Sequence, residues 1–273
     1  HGPPIVYPRR YTRRLMRLCL FCEKGRLTRE HVWGLWLTRL LKAELFRVVT
    51  EEPSQPAITR LTNAIDMKAR AVCRRCNGGW MGKLEATFKP IVEPLITQPS
   101  LRYDIPLPDL TLIATWAAKS AMVLERASHK AKRIYTRDQR RYLMDHLRPP
   151  AGVAVWLARY GGPQRVHSTL KNLKAPTGER VQTATVAIDN LAVQVTAGPW
   201  PTDRPFRVIS GDQRRWEPYL SQVWPLPEQS VAWPPTQTVT GATLEDFTDR
   251  FQTGIYLVKP GEDRRVTFPT GTP

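Results

Sequence analysis

The sequence predicts an α+β protein: a small cysteine-tethered module leads, a helical segment follows, and a β-rich region closes the chain. Three observations carry this. The four cysteines fall into two C-x-x-C pairs, Cys19–Cys22 and Cys73–Cys76, both within the first 100 residues. Residues 110–128 are almost uninterruptedly apolar over a helical length. After Ala151 the texture changes to short runs of β-branched and aromatic residues in alternation. The predicted units are therefore 1–100, 101–150 and 151–273.

The elements follow in order. Leu35 to Val48 reads as an amphipathic helix, with Trp36, Leu37, Leu40, Leu41 and Leu45 on one face. Pro53, Ser54, Gln55 and Pro56 make residues 50–60 a loop. A helix opens at Asn77 and runs to Lys89, where Pro90 stops it. Proline-punctuated chain continues to Pro108, and Asp109 caps the apolar helix of residues 110–128. Thr136 to Leu147 forms a second helix, ended by Pro149 and Pro150. Strands are expected at Val153–Tyr160, Arg165–Leu170, Val181–Ile188 and Ala192–Thr196, with Asp189-Asn190 as a hairpin turn. A short strand at Phe206–Ile209 and a short helix at Leu244–Phe251 complete the pattern, and the last dozen residues are expected to fray. Trp156, Trp200, Trp216, Trp224 and Trp233 are read as aromatic packing for this region.

Charge narrows the class of partner. The 273 residues carry 41 Lys plus Arg against 24 Asp plus Glu, a net charge of +17. Such a balance favours a polyanion, nucleic acid before an anionic membrane surface, and disfavours small cationic substrates. The first 100 residues hold 18 basic and 8 acidic side chains, so the surplus is concentrated beside the cysteines. Arg9, Arg10, Arg13 and Arg14 ahead of the first pair, and Arg70, Arg74 and Arg75 around the second, are the candidate phosphate contacts. The best apolar stretch, Leu110 to Leu124, is too short to cross a membrane and is interrupted by Lys119. The opening residues carry arginines and no apolar run, so no secretory leader is expected and the thiols are expected to stay reduced, in the cytoplasm.

Two C-x-x-C pairs supply the four thiolates that tetrahedral zinc needs, and no cysteine is left over. The 50 residues between Cys22 and Cys73 exceed what a compact self-supporting finger uses. Leu27-Thr28-Arg29-Glu30-His31-Val32-Trp33 follows the first pair, and Asn77-Gly78-Gly79-Trp80-Met81-Gly82-Lys83-Leu84-Glu85 follows the second. Trp80, Met81 and Leu84 have core spacing, and Glu85 reads as a salt-bridge partner rather than a ligand. Asn77 is also a favoured helix N-cap.

These segments resemble the HNH nuclease family in its zinc-stabilised ββα-metal form, and more narrowly a bacterial group with the pattern EHV-x-x-x-W-L followed by C-x-x-C-N-x-G-W-M-x-x-L-E. The resemblance covers residues 15–90, with a weaker echo in a W-A-x-K helix and a WPP segment. It implies a metal-dependent endonuclease cutting phosphodiester bonds, in DNA before RNA, with double-stranded DNA as partner and no membrane. By motif, His31 is the general base, Glu30 and Asn77 hold Mg²⁺ or Mn²⁺, and Cys19, Cys22, Cys73 and Cys76 hold structural Zn²⁺. Glu30 and His31 are neighbours, so on a regular strand they point to opposite faces. One position departs from the family. The middle Asn, five residues before the second pair, is Lys68 here, and Asn63 lies five residues further upstream. The rival expectation is a zinc-knuckle nucleic-acid-binding module whose Glu30-His31 site is degenerate and inactive.

Overall fold

A computed structural model describes residues 18–41, 46–52, 55–62, 68–128, 133–163, 165–174, 180–198, 207–210, 213–250 and 255–258. It is a mixed α and β structure with a β-rich C-terminal part. Strand β1 (Leu27–His31) pairs antiparallel with β4 (Lys68–Cys73), and between them lie α1 (Leu35–Leu40) and a hairpin of β2 (Phe46–Glu52) and β3 (Gln55–Thr62). A single helical turn, α2 (Arg74–Cys76), leads through a kink at Gly79 into α3 (Gly82–Thr97). Strand β5 (Tyr103–Ile105) precedes α4 (Leu107–Ala127) and α5 (Arg137–His146).

The C-terminal part is built on β6 (Val153–Tyr160), β7 (Val166–Lys174), β8 (Arg180–Ile188) and β9 (Leu191–Ala197). Strand β10 (Arg207–Ser210) and the turn α6 (Gln213–Trp216) lead to β11 (Leu220–Trp224), β12 (Val231–Trp233) and β13 (Thr238–Val239). Helix α7 (Gly241–Asp249) and β14 (Ile255–Val258) end the described chain. A six-stranded sheet runs in the order β11-β6-β9-β8-β7, with β13 pairing in parallel with Arg159 and Tyr160 of β6.

Both faces of this sheet are covered. Val153, Val155 and Leu157 of β6 face a core shared with α3 and α4, while Ala158 and Tyr160 face Trp216, Leu244 and Phe247 of α6 and α7. That is why β6 reads as nearly continuous apolar sequence rather than clean alternation. The first of these cores runs unbroken from Cys19 and Phe21 through Trp116 to Val195 and Val223. At its centre is α4, which is buried from Ile113 to Glu125. No described helix is long and apolar enough to cross a membrane.

Several local expectations hold. The helix expected over Thr136 to Leu147 is α5, and the structure adds its caps: a capping box of Thr136 and Gln139, and Leu147 in the left-handed conformation at φ 50°. Asp189, at φ 45°, and Asn190 join β8 to β9 as a two-residue turn. Trp156, Trp216 and Trp233 are buried, whereas Trp200 lies outside the described residues.

Four local expectations fail. The helix expected over Leu35–Val48 ends at Leu40, and the chain from Phe46 is strand. Phe46, Val48, Val49 and Thr50 are strand formers, and their partner strand supplies hydrogen bonds that a helix would otherwise provide. The loop expected over 50–60 is mostly β2 and β3; Pro56 is tolerated because a two-stranded ribbon has free edges. Helix α3 passes through Pro90 and Pro94 to Thr97. Burial of Val92, Leu95 and Ile96 outweighs the hydrogen bonds that those prolines remove. Asp109 is not the cap of α4: Pro106 holds that position, and Asp109 in the first turn accepts the Tyr103 hydroxyl at 3.0 Å.

A four-thiol centre beside a buried charged cluster

The first cysteine pair sits in a tight turn closed by the Glu23 amide donating to the Cys19 carbonyl at 3.0 Å. Gly25 follows at φ 78°, and a Cβ there would stand 3.0 Å from the Cys73 Cβ, so the turn needs glycine both for its conformation and for its closeness. The Leu20 amide donates to the Ala71 carbonyl at 2.8 Å, which lays the turn against β4. Cys73 ends that strand and Cys76 completes the helical turn after it. The four sulfurs thereby lie within 4.8 Å of one another, and Cys22 Sγ is 3.6 Å from Cys73 Sγ. Metal–sulfur bonds of about 2.3 Å in a tetrahedron place sulfurs roughly 3.8 Å apart, so the thiols fit a metal ion such as zinc.

The thiols are not equivalent. Burial raises the Cys73 thiol, but a hydrogen bond from the Cys76 backbone and those of the surrounding thiols outweigh it and bring it down to about 7. Burial and the other thiols push Cys76 up. A metal ion, by its charge, favours thiolate at all four. The Phe21 and Trp80 rings meet edge-on at 5.0 Å and join the first pair to the turn opening α3.

From this centre β1 and β4 run away together, with Leu27 opposite Cys73 and His31 opposite Lys68. Glu30, opposite Ala69, is on the buried side with 6% exposure, while Arg29 and Arg70 face each other on the exposed side. Glu30 and His31 thus take opposite faces of β1, as neighbours on a regular strand must. His31 is half-buried with its Nε2 enclosed, so a reactant must approach the other edge of the ring.

The inner face of the hairpin meets a feature that motif spacing did not reveal. Lys119, fully buried on α4, donates to Glu85 Oε1 at 3.0 Å. Glu85 is the salt-bridge partner its sequence context suggested, and the cation comes from 34 residues away. The only trace in the sequence is a lone lysine interrupting apolar Leu110 to Leu124. Burial raises the Glu30 carboxyl to about 7; the Lys119 ammonium opposes this, and the Glu85 carboxylate adds to it. Asn77 stands with the cysteines, directly after Cys76, and a kink at Gly79 separates it from the helix that carries Glu85. The helical turn opens at Arg74 with Cys73 in the N-cap position, so the opening expected at Asn77 falls three residues late and Asn77 is not the cap.

No family model, curated protein or solved structure matches this chain.

Arg70, Arg74 and Arg75 are exposed near the thiols. Arg9, Arg10, Arg13, Arg14 and Asn63 lie outside the described residues. Arg140 Nε donates to the Leu20 carbonyl at 3.1 Å, and Arg137 pairs with Glu23, so α5 grips the first cysteine turn from outside.

A raised carboxyl is a statement about stability. Glu30 binds its proton more tightly folded than unfolded, so its favourable contribution is complete below about pH 4.5 and is lost as pH rises through about 7. Glu30→Gln, which stays neutral, should leave the metal-loaded protein's melting temperature unchanged at pH 4.5. At pH 8 it should raise stability by up to about 3 kcal/mol, the equivalent of about two pKa units. Calorimetry across that window would show the divergence. Parallel curves at both ends would mean that Glu30 ionises without cost.

Proposed function

We propose that the protein is a metal-dependent endonuclease of the HNH type. The observation that carries this reading is the antiparallel β1–β4 pair bearing Glu30 and His31, followed directly by a helical turn and closed at one end by four thiols. Zinc at Cys19, Cys22, Cys73 and Cys76 ties strand to helix. His31 accepts the proton of the attacking water. By motif, Glu30 and Asn77 offer the hard oxygen donors that Mg²⁺ or Mn²⁺ prefers; Glu30 is on the face of β1 opposite His31, so serving one phosphate requires the end of the strand to turn. A dication beside Glu30 also favours its ionised form. Arg29 and Arg70, paired across the hairpin on the side away from Glu30, suit an anionic backbone.

Supercoiled plasmid incubated with the zinc-loaded protein and Mg²⁺ or Mn²⁺ tests the reading: nicked or linear product is expected. A protein that binds nucleic acid but never cuts it under any divalent cation would replace this reading with an inactive binding module. One observation favours that second reading, namely the pairing of Lys68 with His31 where the family has its middle Asn.

Binding itself should be strongly salt-dependent. Every phosphate that the protein no longer neutralises makes the slope of log K against log salt shallower by about 0.9 on duplex DNA. Arg70→Ala, Arg74→Ala and Arg75→Ala combined should therefore flatten the slope by about two to three, measured by fluorescence anisotropy. An unchanged slope would place the phosphate path elsewhere.

A further inference from the structure

We propose that the Glu85–Lys119 ion pair is a positioning clamp for the segment that carries Glu30 and His31. What it positions for catalysis rests on the nuclease reading; the clamp itself rests on geometry.

Lys119 is completely enclosed, and its ammonium has left water for a helix whose neighbouring buried residues, Trp116, Ala117, Ala118, Ala121 and Met122, are apolar. Burying such a charge is expensive unless it is paired and well placed. Its partner is Glu85 Oε1 at 3.0 Å. The other oxygen, Glu85 Oε2, lies 2.7 Å from where a Cβ on Gly34 would stand. Gly34 is the third residue after His31, so the carboxylate presses on the backbone of the turn that His31 opens. A Cβ there would make the carboxylate and the Trp36 indole, whose Nε1 would be 2.5 Å away, give way. The adjoining Trp33 is buried, with its ring 6.1 Å from that of Trp116, and Lys119 Nζ lies 5.7 Å from the same Trp116 ring. One α4 turn thus holds the Trp33–Gly34 turn directly, through an indole, and indirectly, through Glu85.

A packed apolar pair would hold these elements together as firmly as an ion pair does. What the ion pair adds is direction. It fixes one carboxylate oxygen toward Lys119 and the other toward Gly34, which defines where β1 ends and where the His31 ring sits. Lys119 and Glu85 are positioning residues: they act through the turn and touch no reactant.

The test is the double variant Glu85→Leu with Lys119→Met, which removes both charges of the pair at similar volume and takes from Glu30 one attractive and one repulsive neighbour together. Its fold and zinc content should match the wild type. The His31 ring signals in a ¹H–¹³C NMR spectrum should shift and broaden, because the turn after the ring loses its stop. In cleavage, kcat should fall at least tenfold with KM unchanged. Superimposable His31 signals, or wild-type kcat, would overturn the clamp. Gly34→Ala is the second variant should the first not fold: its added methyl drives into Glu85 Oε2 and the Trp36 indole. It should displace the same His31 signals, and unmoved signals would again overturn the proposal. A wild-type protein that never cuts removes the nuclease reading, while the His31 spectrum still decides the clamp.

Discussion

Cys73→Ser is expected to cost the protein its fold rather than one step of chemistry. Cys73 is the residue on which the centre converges: it ends β4, its sulfur is 3.6 Å from that of Cys22, and Gly25 packs on its Cβ. Binding of zinc to a four-thiolate site contributes on the order of 10–16 kcal/mol, and a whole domain is stable by only about 5–15 kcal/mol. Loss of one ligand therefore removes an amount comparable to the total. Metal analysis of the wild type should give about one zinc per chain. Cys73→Ser should lose the metal and its cooperative melting transition together. A metal-free variant that melts like the wild type would show that the thiols cluster without a structural ion.

His31→Ala should have the opposite signature. If His31 is the base, the variant keeps its zinc, its melting temperature and its nucleic-acid affinity, and loses about 10²–10⁴ in rate. The ring is half-buried at the end of β1, and β1 is held by Val32 and Trp33 beyond it and by β4 beside it, so truncation leaves the strand in register. Added Mg²⁺ or Mn²⁺ should not restore the rate, because extra metal supplies no proton acceptor. Glu30→Ala and Asn77→Ala should be partly restored by the same addition, since they weaken cation binding. Wild-type cleavage by folded His31→Ala would end the HNH assignment, whatever the cysteines hold.

Much of the fold was legible because its signals are local. The helix α5, stopped by Pro149 and Pro150, and the turn at Asp189-Asn190 each depend on a few neighbouring residues, so pattern alone locates them. The grouping of four cysteines was legible for a different reason: their chemistry has few uses for two equal pairs. Failures occurred where tertiary packing decides. Leu37, Leu40 and Leu41 satisfy a helix, but the next residues alternate well enough for a strand, and pairing with β3 resolves the ambiguity. Pro90 and Pro94 are helix breakers that a buried face overrides. Lys119 was visible only as a blemish in an apolar run, because its meaning depends on Glu85, 34 residues earlier. No spacing rule joins those two positions.

The grip of Arg140 on the Leu20 carbonyl sets a timetable for synthesis. These residues are 120 apart, so the turn holding Cys19 and Cys22 emerges from a ribosome long before its outer support exists. At about 5–20 residues per second the wait is roughly 6–24 s. Until α4 has been made, late in that interval, Phe21 and the buried side of the β1–β4 pair have neither that helix nor the sheet to cover them. A nascent chain in this state presents open thiols and uncovered aromatic surface at once.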